Sequence, residues 1–203
     1  MVQEPALAAG AEVVVRPLSR TQAATRHRLL DAARELAAEG GYEAVTMRQV
    51  ATRAGVSAPT AYLYFTSKDH VLVDVLVDLM GQTSASLAAK PSRGQTPVDR
   101  TVATLRRAVA HVEDRPHLYV ALTRAYIAGT PDVAHARNTL EASMRGWIDL
   151  ALGERDVGDR DSVVMILENV LFANMVSLVT GARAPGDVAD ELERAARTVL
   201  KEP

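Results

Sequence analysis

The chain has 203 residues, enough for one or two domains with a sizeable core; 48% are hydrophobic and only 4% aromatic. It has no cysteine, which excludes a disulfide framework and a thiolate metal site and is compatible with a reducing cytoplasm. The net charge of −2 is unevenly spread: residues 16–70 carry eight Lys/Arg against five Asp/Glu, while residues 71–203 carry fifteen against eighteen. The start of the chain has no basic segment followed by a long apolar run, so no signal peptide is expected.

Residues 1–20 contain Pro5, Gly10 and Pro17 and show no helical period; the reading is a disordered arm, with Arg16 and Arg20 the residues able to lie over a DNA backbone. The first firm helix is expected over 21–39, with Leu29, Leu30, Ala33, Leu36 and Ala37 as its apolar stripe and Gly40-Gly41 as its end. The stretch from Thr46 to Phe65 then reads as two short helices joined by a tight turn. Thr46 is a good N-cap, Met47, Val50 and Ala51 share the apolar face, and Arg48, Gln49, Thr52 and Arg53 fall opposite. Gly55 supplies the positive φ of the turn. Ser57 caps the second helix, and Pro59 sits in its first turn, where a missing N–H costs little. Tyr62 and Phe65, three apart, are expected to share a face.

Helix, glycine-containing turn and capped second helix is the layout of a helix-turn-helix DNA-binding unit, whose second helix enters the major groove. The residues Gly41-Tyr42, Thr46-Met47-Arg48, Val50-Ala51, Ala54-Gly55-Val56-Ser57, Thr60, Tyr62, Tyr64-Phe65 and Ser67-Lys68 resemble the TetR-type bacterial regulators, over about 29–72. The resemblance implies DNA contacts from Thr46, Arg48, Gln49, Ser57, Ala58, Pro59, Thr60, Tyr62, Leu63, Tyr64 and Lys68, with Tyr62, Tyr64 and Lys68 mainly on phosphates. Two residues depart from the family pattern. Pro59 stands where glycine is common, and Leu63 where a polar or basic residue is frequent.

Ser67 caps the next helix, with Val71, Leu72, Val75, Leu76, Leu79 and Met80 along one face; it is the covalent connection to the rest of the chain. After a Pro/Gly break over 88–97, helices are expected at about 98–113, 116–128, 132–152, 160–182 and 187–201. The fold class is therefore all-α with about nine helices, divided into an arm (1–20), a helix-turn-helix domain (21–66) and a ligand-binding and dimerisation domain (67–203). The apolar run 163–179 is interrupted by Glu168, Asn169 and Asn174 and reads as a buried helix rather than a membrane span.

The resembled family uses such C-terminal helices for a dimer and a small-molecule pocket. Dimer candidates are Val163, Leu167, Leu171, Leu178, Leu192, Ala196 and Val199, because the helix at 160–182 is apolar around too much of its circumference for a one-sided surface helix. Pocket candidates are Tyr119, Thr123, Arg124, Tyr126, Met144, Trp147, Glu168, Phe172 and Met175. Glu168, Phe172 and Met175 fall on one face; Arg124 or a polar group of a ligand could pair with the Glu168 carboxylate, the alternatives being solvent or an arginine across the dimer. The stretches LTRAYIAGTPDV and LENVLFANMVSLVTG also resemble the KstR-like repressors of sterol catabolism, which implies a large apolar effector such as an acyl or sterol-derived CoA thioester.

No cofactor, catalytic set or metal site is expected. Asp156, Asp159 and Asp161 with Glu168 lack the spacing and glycine of a calcium loop, and His111 and His117 read as surface residues. The expectation is a homodimeric, ligand-responsive repressor that binds a palindromic operator in the cytoplasm. The rival is a helical enzyme or binding protein that retains a helix-turn-helix-like hairpin.

Overall fold

The computed structural model describes residues 18–154 and 157–200. Among them are nine α-helices and no strand: α1 (Arg20–Gly40), α2 (Met47–Arg53), α3 (Ala58–Tyr64), α4 (Lys68–Ala89), α5 (Pro97–Asp114), α6 (Pro116–Ala128), α7 (Ala134–Leu152), α8 (Arg160–Val179) and α9 (Pro185–Val199). The arm over 1–17 lies outside the described residues. Arg20 belongs to α1 rather than to an arm, because Ser19 and Gln22 close a capping box around the helix start.

The first three helices form where their caps dictate. Thr46 accepts from the Gln49 amide at 3.2 Å, and Ser57 accepts from the Thr60 amide at 3.2 Å. Between α2 and α3, Gly55 has φ +68°, and Val56 N–H donates to Ala51 C=O at 3.0 Å, which closes the turn. Leu29, Leu30, Ala33, Leu36 and Ala37 of α1 bury their stripe with Met47, Val50, Ala51, Ala61 and Phe65. One expectation fails here. Phe65 is fully buried while Tyr62 is 54% exposed, because α3 stops at Tyr64 and extended backbone at Phe65 turns its ring inward.

Helix α4 leaves this unit capped by Ser67 and packs against α1, α6 and α7. Arg26 of α1 donates to Asp74 of α4 at 2.5 Å, tying the two helices together. The remaining helices close a bundle in which α5 packs on α7 and α9, and α8 on α7 and α9. Helix α7 starts at Ala134, two residues after the start expected at 132, because a 3-10 turn occupies Pro131–Val133. Helix α8 ends at Val179 rather than 182, because Gly181 at φ +70° lets the Ala182 amide donate back to Ser177 C=O. Among the described residues, α4 and α8 are long and apolar enough to cross a membrane, yet both pack into this bundle and α8 carries Glu168, Asn169 and Asn174.

Candidate functional site

Three surfaces bear on function, beginning with the α2–α3 unit. Thr46, Arg48, Gln49, Ser57, Pro59, Tyr62 and Leu63 are exposed, and Ala58, Thr60, Tyr64 and Lys68 are half-buried. The outward face of α3 is formed by Pro59, Tyr62 and Leu63, and Leu63 is 84% exposed. Two side chains are tied into caps: Thr60 shares a 2.8 Å hydrogen bond with Ser57, and Thr46 donates to the Gln49 amide oxygen at 2.7 Å. Lys68, the first residue of α4, rests its ammonium 3.7 Å from the centre of the Tyr42 ring and 3.9 Å from Glu43.

This unit is held to the helical body by two polar clusters that sequence spacing does not reveal. In the first, both Lys68 and Arg124 lie against the Tyr42 ring, the Arg124 guanidinium 4.2 Å from its centre. Tyr42 donates to Asp69 at 2.6 Å, and Arg124 donates to Glu43 at 2.8 Å. Burial and the Asp69 hydrogen bond push the Tyr42 phenol up to about 12. In the second, Thr66 and Ser67 donate to Asp132 at 2.6 and 2.9 Å, across the start of α4. The neighbouring hydroxyls of Thr130, Thr66 and Ser67 pull the Asp132 carboxyl down to about 2.

Inside the body, α4, α6, α7 and α8 enclose an apolar slot lined by Leu76, Met80, Tyr119, Thr123, Tyr126, Leu140, Met144, Phe172, Met175 and Val176. It holds about 40 Å³, little more than one water's share of the liquid, roughly 30 Å³. Tyr126, Met144 and Phe172 also line an open cleft of about 580 Å³ that carries Asn138, Glu141, Arg145, Glu168 and Asn169. The Tyr126 and Phe172 rings, 5.6 Å apart, stand between slot and cleft. On the other side, Tyr119 joins the slot to a cleft of about 330 Å³ with Gln82, Thr83, Ser86, Asp114 and Arg115.

The structure thus brings together Tyr119, Thr123, Tyr126, Met144, Phe172 and Met175, with Glu168 at the mouth. Two expected members lie elsewhere. Arg124 points to the helix-turn-helix unit and pairs with Glu43, so the expected Arg124–Glu168 pair does not exist; Glu168 pairs with Arg145 at 3.4 Å. Burial holds Glu168 above the ordinary carboxylate range, opposed by Arg145 and reinforced by Glu141 and Asp149. Trp147 is buried beside the slot rather than in its wall, and its indole donates to Ser84 of α4 at 2.6 Å. Leu76 and Met80 were missed, although their four-residue spacing on the apolar face of α4 was visible.

The dimer candidates also divide. Val163, Leu167, Leu171, Leu192 and Ala196 are buried within the chain's own core, because α8 and α9 turn these residues toward α5 and α7. These five are core residues, not surface available to a partner subunit. Leu178 and Val199 stay half-buried. The outward face of α8 carries Met165 at 50% and Ile166 at 40% exposure, with Asn169 and Ala173 exposed along the same side. No group of three or more His, Cys, Asp or Glu able to hold a metal occurs among the described residues. Asp159 of the discarded calcium constellation caps α8, accepting from the Ser162 amide at 3.2 Å, and Asp156 lies outside the described residues.

Comparison with known proteins covers both parts of the chain. The family described as bacterial regulatory proteins, tetR family, matches residues 29–75, and the tetracyclin repressor-like C-terminal domain matches residues 94–199. The HTH-type transcriptional repressor KstR of Mycobacterium tuberculosis is 32% identical over 186 residues, covering 90% of this chain and 83% of the relative. A solved TetR transcriptional regulator from Rhodococcus sp. RHA1 superposes with a TM-score of 0.80 at 27% identity, covering 90% of this chain and 99% of that one. Thermus thermophilus FadR, a TetR-family repressor solved with lauroyl-CoA, superposes with a TM-score of 0.66 at 22% identity, covering 86% and 93%.

Proposed function

The chain belongs to the tetR family of bacterial regulatory proteins and is a helix-turn-helix transcriptional regulator, and we propose that it is a cytoplasmic repressor whose grip on a palindromic operator is released by a large apolar effector. In this reading it acts as a homodimer, with the outward face of α8, Met165, Ile166 and Ala173, against its twin and the two α3 helices in successive major grooves. That spacing is roughly 34 Å. An exposed apolar face on a helix that already fills its own core supports the assembly. DNA is held by the exposed α2–α3 residues and by Lys68. No catalytic role is assigned to the chain.

The observation that carries the effector reading is the apolar slot in which α4 supplies Leu76 and Met80 and α6 supplies Tyr119, Thr123 and Tyr126. Both helices also touch the DNA-reading unit, α4 by covalent continuity and α6 through Arg124. At about 40 Å³ the slot is collapsed, so an effector must part these helices to enter. That movement tilts α4 and changes the spacing of the two α3 helices. The effector class we assign is an acyl or sterol-derived CoA thioester, by likeness to the KstR repressors and to the neighbour solved with lauroyl-CoA. Its anionic headgroup would meet two carboxylates and one arginine in the cleft of Glu141 and Glu168 but one carboxylate and one arginine, Asp114 and Arg115, in the other, which favours an exit past Tyr119.

The test uses operator fragments captured from genomic DNA and lauroyl-CoA as probe. Release of DNA over the same concentration range as a change in Trp147 emission is expected, since Trp147 is the only tryptophan and bonds to α4. Phe172→Ala should shift both curves together. Full DNA retention with saturating lauroyl-CoA and with a cholesterol-derived CoA thioester would exclude this effector class.

A further inference from the structure

Helix α3 has the sequence Ala58-Pro59-Thr60-Ala61-Tyr62-Leu63-Tyr64, with no Arg, Lys, Asn, Gln, Asp or Glu. It therefore lacks every side chain that reads guanine or adenine with a bidentate pair of hydrogen bonds, or cytosine through its amine. Its one aliphatic hydroxyl, Thr60, is bonded to Ser57 at 2.8 Å. What α3 turns outward is Pro59, Tyr62 and Leu63, and Leu63, at 84%, is the most exposed large apolar residue among the described residues.

Only one apolar group is presented in the major groove of DNA, the thymine 5-methyl; a G·C pair offers none. Taking the chain as a DNA-binding regulator, we infer that α3 reads sequence by seating Pro59 and Leu63 on thymine methyl groups, so that each half-site carries A·T pairs under α3. Residues four apart lie on one helix face with Cβ atoms roughly 6 Å apart, and base pairs step by roughly 3.4 Å. The two side chains therefore cover thymines within about two steps of each other. Hydrogen-bond reading of any flanking G·C pair falls to Arg48 and Gln49 of α2, both exposed.

Uracil tests this without touching the protein's fold, since it differs from thymine only by the missing methyl. An operator captured by the wild-type chain is resynthesised with each thymine replaced in turn by uracil, and Kd is measured at one fixed salt concentration. One or two positions in each half-site should lose roughly three- to fivefold in affinity, the worth of one methyl group kept from water. The Leu63→Ala variant should distinguish thymine from uracil less than twofold at its position while still binding. Half-sites made entirely with uracil that bind as tightly as thymine would overturn the inference, as would a Leu63→Ala protein that keeps the wild-type uracil penalty. In either case DNA is still bound and the regulator reading stands; if no genomic fragment is captured at all, that reading falls and this one with it.

Discussion

Helices α3 and α8 both carry strongly apolar sequences, and the structure uses them in opposite ways. Helix α3 buries Ala61, hands the chain to a buried Phe65, and leaves Pro59, Tyr62 and Leu63 in solvent. Helix α8 buries Val163, Val164, Leu167 and Leu171 in its own bundle and still exposes Met165 and Ile166. An apolar residue in solvent carries meaning only through its neighbours. On α3 it stands among residues proposed to face DNA; on α8 it lies on the outer side of a helix whose inner side is already satisfied.

The largest expected effect tests the inner side of α8. Leu171 is fully buried in the chain's own core, so Leu171→Asp should cost more than about 4 kcal/mol, an uncompensated buried carboxylate in a packed interior. Loss of helical circular dichroism, or a urea midpoint too low to measure, is the expected result. A folded, helical monomer would return Leu171 to the interface.

Next comes the outer side. Ile166 is 40% exposed, so Ile166→Asp should leave the fold intact and place like charges opposite each other across a two-fold axis. The protein should sediment as a monomer and lose roughly a hundredfold in operator affinity, since half a palindrome forfeits the second binding unit. A variant that remains dimeric with full affinity would show that another face assembles the protein.

These two helices also mark how far the sequence could be read. The helix-turn-helix unit was legible because local chemistry decides it: Thr46 and Ser57 cap their helices, and Gly55 makes the turn. Helix α8 was legible as a helix but not as a surface. A residue pattern that is apolar on every side gives periodicity no face to choose, so Val163, Leu167 and Leu171 could not be told from Met165 and Ile166. The pocket was half legible for a related reason. Glu168, Phe172 and Met175 share one face of one helix, which spacing reveals, whereas Arg124 meets Glu43 across 81 residues of sequence. No local signal assigns a surface arginine to one carboxylate rather than another.

That misassigned arginine gives the third expectation. Arg124 sits on α6 one residue from Thr123, which lines the slot, and two from Tyr126, which lines both slot and cleft. It is thus placed to report slot opening to Tyr42 and Glu43. Its side chain and that of Glu43 are more than half exposed, so Arg124→Ala should lower stability by less than about 1 kcal/mol. The effect should appear instead in coupling. The ratio of effector affinities for free and DNA-bound protein should shrink about fivefold, close to 1 kcal/mol by linkage. A ratio unchanged from wild type would leave the coupling to α4 and to the Asp132 cluster with Thr66 and Ser67.

The smallest effect concerns the charge that α4 brings to the proposed DNA surface. Lys68 stands at the first position of α4 with its ammonium against the Tyr42 ring and 3.9 Å from Glu43. The ring orders the side chain before DNA arrives, which lowers the entropy cost of a phosphate contact, while the carboxylate competes with the phosphate for the same charge. Lys68→Ala should therefore weaken every site by a similar factor, roughly threefold at moderate salt, and reduce the slope of log affinity against log salt by about one. Glu43→Gln removes the competitor and should strengthen binding by up to about twofold, with the largest gain at low salt where charge is least screened. The pair of variants is informative because their signs are opposite. If both leave the salt slope unchanged, Lys68 serves only to clasp Tyr42, and the reading surface ends at α3.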